Sequence, residues 1–288
     1  MPRIDADGVE LFCESLGEGT PLILQGHDHT PWLFFQAPVF SQSYRFITFD
    51  RRGTGRSASP AGEWSVADFA RDLRALMDAL GIDKAIVGGS SLGGMVTAQF
   101  AVDYPDRLLA MVVGHTGPYL WDLARAWVEQ LMQGAQPTLG AQPRSFAWES
   151  EGPPTTNPTF AQSPIGALMA SIGTGLGRDP ESIRKMHRAL LNWDQRPRYP
   201  ELHALEVPSL FLAGANEPQK TLELMHEWHQ QVPGSELVIL RDCYHAAHRE
   251  NAPVWNAAVA TRLSPRELKR ARTRRRAHRL AERPGSRL

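Results

Sequence analysis

The stretch KAIVGGSSLGGMVTAQFAV, residues 84–102, decides the architecture of this 288-residue chain. KAIVGG is apolar without alternation, the pattern of a strand covered on both faces. LGGMVTAQFAV then opens a helix, so the serine pair at positions 90 and 91 falls on a strand-to-helix corner. The pattern G-x-S-x-G fits there as Gly89-Ser90-Ser91-Leu92-Gly93, with Ser91 central. Small flanking residues let the backbone fold back sharply and leave one hydroxyl exposed above a sheet. Ser91 also stands at a helix N-terminus, whose unpaired N–H groups favour a developing negative charge. A phosphate-binding loop is the competing reading. It fails, because Met95 follows the last glycines where Lys-Ser/Thr is required.

Working outward, LILQG (22–26), RFITFD (45–50), LLAMVV (108–113), PSLFLAG (208–214) and ELVIL (236–240) read as further strands, and VELFCES (9–15) as an edge strand. Val66, Phe69, Leu73, Leu76 and Leu80 recur at helical spacing, and Gly81 is placed to stop that helix. The helix after the serine corner is expected to end near Tyr104-Pro105. Alternation of strand and helix implies an α/β fold with a doubly wound, mostly parallel sheet. Residues 117–200 break the rhythm, carrying 10 of the 22 prolines and four of the eight tryptophans, with helical patches at YLWDLARAWVEQLM and PESIRKMHRALL. The expected organisation is a core of residues 1–116 and 201–263, an inserted helical lid over 117–200, and a basic C-terminal extension over 264–288.

Composition is that of an ordinary globular protein. No apolar run approaches the roughly 20 residues of a membrane span, and MPRIDADG lacks the apolar core of a secretory signal. A cytoplasmic location is the default expectation. Cys13 and Cys243 match no metal-site spacing and read as free thiols. The net charge of zero hides an asymmetry: residues 264–288 hold 10 of the 31 basic and 2 of the 31 acidic residues, which leaves the body acidic. The arginine-rich tail suits a polyanion at low salt, yet no nucleic-acid module precedes it, so a solvated extension is the preferred reading. Oligomeric state is left open.

A serine hydroxyl is a weak nucleophile at neutral pH and needs a base within hydrogen-bond reach and a group to orient that base. LRDCYHAAHRENAPVW follows the strand ELVIL and offers His245 and His248. His245 lies directly after the strand and is the preferred base. In PSLFLAGANEPQ, Glu217 is the first carboxylate past a strand's carboxyl end, placed to fix the imidazole tautomer. The order Ser91, Glu217, His245 matches the Ser, acid, His order of one hydrolase fold. The oxyanion is expected to face the backbone N–H groups of Leu92 and His27.

At this point the chain resembles the α/β-hydrolase fold family, in particular its lidded esterases, lactonases and cofactor-free haloperoxidase-like members. LILQGHDH is similar to the family's oxyanion strand and loop, FDRRGTGRS to its D-x-R-G-x-G-x-S segment, and YHAAHRENAPVW to the segment around its histidine. Gln25 stands where histidine usually precedes the oxyanion glycine, and Glu217 where Asp is commoner. The resemblance implies that Asp50 and Arg52 stabilise a turn.

His27-Asp28-His29 invites a metal reading, but Thr30-Pro31-Trp32 follows where that motif requires Asp-His, so no metal and no cofactor is expected. His29 and Trp32 are placed at the pocket entrance, and His115, after the strand LLAMVV, either contacts substrate or is a buried hydrogen-bonded residue. The preferred function is hydrolysis of a small ester or lactone through an acyl-enzyme on Ser91. Carbon–carbon bond hydrolysis, a haloperoxidase-like reaction and a ligand-binding receptor are the alternatives.

Overall fold

A computed structural model describes residues 3–26, 29–132, 157–175 and 179–264. In chain order its principal elements are β1 (Arg3–Ala6), β2 (Val9–Leu16), β3 (Pro21–Gln25), α1 (Thr30–Phe35), α2 (Ala37–Phe40), β4 (Arg45–Phe49), α3 (Val66–Ala79), β5 (Ala85–Ser90), α4 (Leu92–Asp103) and β6 (Leu108–Gly114). They continue with α5 (Asp122–Met132), α6 (Pro158–Ala161), α7 (Pro164–Gly175), α8 (Pro180–Leu191), α9 (Tyr199–His203), β7 (Ser209–Gly214), α10 (Gln219–Gln230), β8 (Glu236–Leu240), α11 (Ala247–Glu250) and α12 (Ala252–Leu263).

The strands form one sheet in the order β1-β2-β4-β3-β5-β6-β7-β8. From β4 onward every pairing is parallel, while β1–β2 and β2–β4 are antiparallel. The chain leaves β3 for β4 on one side and then crosses to β5 on the other. The carboxyl ends of β3 and β5, where the strand order reverses, are the usual ligand position in such sheets. Gln25 and Gly89 are register partners there.

The central strands are apolar throughout because each sends alternate residues to two covered faces. Val87, Met111 and Phe211 join a cluster with Phe69 and Leu73 of α3 and Trp228 of α10. Their neighbours Ile86, Val112 and Leu212 join a second cluster with Trp32, Phe40 and Trp255. Helix α3 starts on a capping box, Ser65 accepting from the Asp68 N–H while the Asp68 carboxylate accepts from the Ser65 N–H. Its apolar stripe then fixes which face meets the sheet.

The expected edge strand VELFCES is an inner strand. Its first half, Val9–Phe12, pairs with β1, and its second half, Cys13–Leu16, with β4. The sequence RIDA of β1 is too short and too charged to announce itself, but the tight turn at Asp7-Gly8, both at positive φ, closes the hairpin. Helices α5 to α9 form an intervening segment, in chain order, between the adjacent strands β6 and β7. Part of it docks on the core through α8. Ser182 and Ser59 share a hydroxyl hydrogen bond of 2.6 Å, the Lys185 ammonium donates to the Pro60 carbonyl at 3.2 Å, and Arg188 pairs with Glu63. The basic extension lies outside the described residues, apart from Ser264. Cys13 and Cys243 are both buried free thiols, and burial pushes each pKa up to about 11. Among the described residues no helix is long and apolar enough to cross a membrane.

Candidate active site

Ser91 occupies the turn between β5 and α4 with φ 57° and ψ −122°, a conformation that disfavours any residue bearing a Cβ. The corner is clamped from both sides. The Ser91 N–H donates to the Gly114 carbonyl at 2.9 Å, and the Ser91 carbonyl accepts from Gly94 and Met95 at 2.9 and 3.1 Å. A Cβ at Gly93 would lie 2.1 Å from the Gln25 carbonyl oxygen, and one at Gly89 would lie 2.4 Å from the Gly93 carbonyl carbon. These two glycines are therefore demanded by contact, because β3, β5 and α4 meet there without room for a side chain. Ser90 is buried while Ser91 is half-buried, and Leu92 opens α4, so its N–H has no helical acceptor.

Glu217 reaches the site from the turn after β7, which is zipped to the segment following β8. The Ala215 N–H donates to the Leu240 carbonyl and the Asn216 N–H to the Cys243 carbonyl, each at 2.9 Å. The Glu217 side chain is fully buried. Its Oε1 accepts from His245 Nδ1 at 2.9 Å, and its Oε2 accepts from His115 Nδ1 at 3.0 Å and from the Gly214 N–H at 2.8 Å. Burial alone pushes this carboxyl's pKa up. The opposing effect of His115, joined by that of His245, prevails and holds it well below the usual carboxylate range. An ionised carboxylate only accepts, so both imidazoles carry their proton on Nδ1, and His245 keeps Nε2 for exchange with another group.

Three adjacent strands assemble this constellation. Ser90 pairs with Gly114, Gly114 pairs with Leu212, and the His115 and His245 rings stand 6.3 Å apart. Ser91, His115 and Glu217 thus follow the carboxyl ends of β5, β6 and β7, with His245 in the loop beyond β8. His248, the other histidine of that loop, lies on α11 with its ring stacked on Trp32 at 4.6 Å.

His29 and Trp32, expected at a pocket entrance, are both buried. His29 is 3% exposed, donates from Nδ1 to Asp50 at 2.5 Å and meets Arg56 at Nε2 at 2.9 Å. Trp32 is fully buried between His248 and Trp255. The physical reason is the FDRRGTGRS loop, which places a buried carboxylate and an arginine beside His29 and draws its ring inward. Asp50 also accepts from the N–H groups of His29 and Arg56, and Arg52 grips Asp72 with two hydrogen bonds of 2.5 and 2.6 Å. His27 and Asp28 lie outside the described residues. Among the described residues no group of three or more His, Cys, Asp or Glu stands ready to hold a metal ion.

A profile of the family described as "alpha/beta hydrolase fold" matches residues 12–152. This chain has the α/β-hydrolase fold. Among its relatives, 3-oxoadipate enol-lactonase 2 of Acinetobacter baylyi is 27% identical over 226 residues, spanning 78% of this chain and 80% of that protein. The crystal structure of an enol-lactonase from Burkholderia xenovorans superposes with a TM-score of 0.76 at 24% identity, covering 90% of this chain and 98% of that one, and shows the shared fold. A thermophilic esterase from Thermogutta terrifontis reaches 0.74 at 26% identity, covering 90% and 94%.

A second buried carboxyl group, that of Glu250, accompanies the constellation. Both its carboxyl oxygens are buried on α11, near enough to His245 and His115 to feel their charge.

Proposed function

We propose that this protein is a serine hydrolase acting on a small carboxylic ester or lactone, with Ser91 as nucleophile, His245 as general base and Glu217 as the group that orients it. The observation that carries the reading is the buried, ionised Glu217 holding His245 Nδ1 beside an elbow in which Ser91 is forced to positive φ. The enol-lactonase and esterase relatives support the substrate class.

In the reaction, Ser91 Oγ attacks the carbonyl carbon while His245 Nε2 takes the hydroxyl proton, and Glu217 stabilises the imidazolium that forms. The carbonyl oxygen becomes an oxyanion facing the Leu92 N–H and one N–H from the loop after β3, assigned to His27. Each such donor contributes roughly 2.7–4 kcal/mol in the transition state. Collapse breaks the bond to the alkoxy oxygen, which leaves with the proton from His245. In a lactone the alcohol stays tethered to the acyl group. Water then attacks the acyl-enzyme with His245 again as base, releasing the acid and restoring Ser91. The helices between β6 and β7 serve as the lid over this rim.

Turnover of a short p-nitrophenyl ester tests the reading. Ser91→Ala is expected to lower kcat/KM by about 10³-fold or more with an unchanged circular dichroism spectrum. Undiminished turnover in the folded variant would refute it.

A further inference from the structure

Glu217 is held by more donors than the orientation of one imidazole requires. His245 takes up Oε1, yet Oε2 is engaged as well, by the Gly214 N–H at 2.8 Å and by His115 Nδ1 at 3.0 Å. His115 is fully buried, its backbone N–H is fixed on the Leu212 carbonyl at 2.8 Å, and it sits at φ 54° directly after β6. A non-glycine residue persists in that region only where its surroundings over-determine it, and such strain gathers at working sites.

Resting on the triad reading above, we propose that His115 is a positioning residue: by pinning Glu217 Oε2 it leaves Oε1 alone to face His245. Glutamate carries one more torsion than aspartate. A carboxylate held at one oxygen swings about that torsion and carries the base with it. With Oε2 fixed by a backbone amide from β7 and an imidazole from β6, the swing is blocked from two neighbouring strands. The bond also fixes the His115 tautomer, because an ionised carboxylate accepts only a protonated Nδ1.

A consequence for pH follows from the groups packed around the two rings. These are Glu217 from the β7 turn, His245 from the loop after β8, and the Glu250 carboxyl from α11. Without His115, Oε2 keeps a single donor and Glu217 becomes a more basic partner for His245. The His245 imidazolium is then favoured up to higher pH, and the acid limb of the activity profile moves upward.

The test compares His115→Leu, which lacks the donor, with His115→Asn, whose amide donates from near the Nδ1 position and tolerates positive φ. Ester hydrolysis is measured across pH alongside nitrogen-15 histidine NMR of the ring N–H groups. His115→Leu is expected to lower kcat about tenfold or more at unchanged KM. It should also raise the acid limb and displace the His245 Nδ1–H signal, with His115→Asn returning all three toward wild type. A His115→Leu protein with wild-type kcat, pH profile and His245 signal overturns the proposal. If that variant does not fold, Glu217→Gln decides: both Nδ1–H signals must move, and displacement of the His245 signal alone overturns it. The NMR readout is independent of the nucleophile. Persistent turnover in Ser91→Ala would therefore remove the serine mechanism while leaving the His115 coupling to be judged on its own signals.

Discussion

Glu217 and Glu250 both bury their carboxyl oxygens, and their environments push them in opposite directions. Glu217 is surrounded by donors and stays ionised. Glu250 is raised by burial, which outweighs the Asn157 N–H, Arg249 and the two imidazoles that favour its charged form. Because its folded pKa is raised, the native state binds a proton that the unfolded chain has already lost, so this group's contribution to stability falls as pH rises through the carboxylate range. Glu250→Gln, neutral and of nearly the same shape, is expected to raise Tm at pH 7 and to give no gain at pH 4. Thermal unfolding at the two values checks this, and an equal shift at both would contradict it. Glu217 has the reverse sign: its stabilisation is complete above the ordinary carboxylate pKa and is lost as pH falls below it. Glu217→Gln is accordingly expected to lower Tm at pH 7, with the deficit shrinking on acidification, and to lower kcat/KM by about 10³-fold or more as His245 loses its imposed tautomer.

At the scale of elements, the elbow depends on how closely β3, β5 and α4 approach. Gly93→Ala would drive a methyl group to 2.1 Å from the Gln25 carbonyl oxygen, and backbone on both sides leaves no flexible chain end to give way. The expected cost is about 1–3 kcal/mol or more, with turnover of the test ester falling further than stability because Ser91 and the end of β3 shift together. Chemical denaturation beside turnover measures both, and a variant that keeps wild-type activity would contradict the steric account. The same contacts explain how much was legible beforehand. G-x-S-x-G between an apolar strand and a helix announced the corner, and a first carboxylate past PSLFLAG announced Glu217, because both signals are local in sequence. β1 was not legible, since a four-residue strand of alternating charge makes sense only beside β2. The burial of His29 was not legible for a related reason: its partners Asp50 and Arg56 lie 21 and 27 residues away. His115 stood open between two readings until the turn after β7 brought Glu217 across 102 residues to meet it.

At the scale of the whole molecule, the described strands form one sheet with an apolar cluster on each face, and neither cluster is buried without the shared wall between them. Trp228 belongs to one face and Trp255 to the other, both fully buried. Either indole replaced by alanine removes its packing and leaves a cavity, a loss of about 3–5 kcal/mol. The sheet separates the two sites, so their costs are expected to add. The pair then approaches the 5–15 kcal/mol that typically holds a native domain together, and Trp228→Ala/Trp255→Ala should be largely unfolded at 37 °C while each single variant is folded at 25 °C. Guanidinium titrations of the single variants, followed by far-ultraviolet circular dichroism and by fluorophosphonate labelling of Ser91, should give one coincident transition apiece. The Ser91 elbow is built on the same wall as both clusters, so a labelling transition that parts from the circular dichroism would show that the site unfolds independently of the sheet.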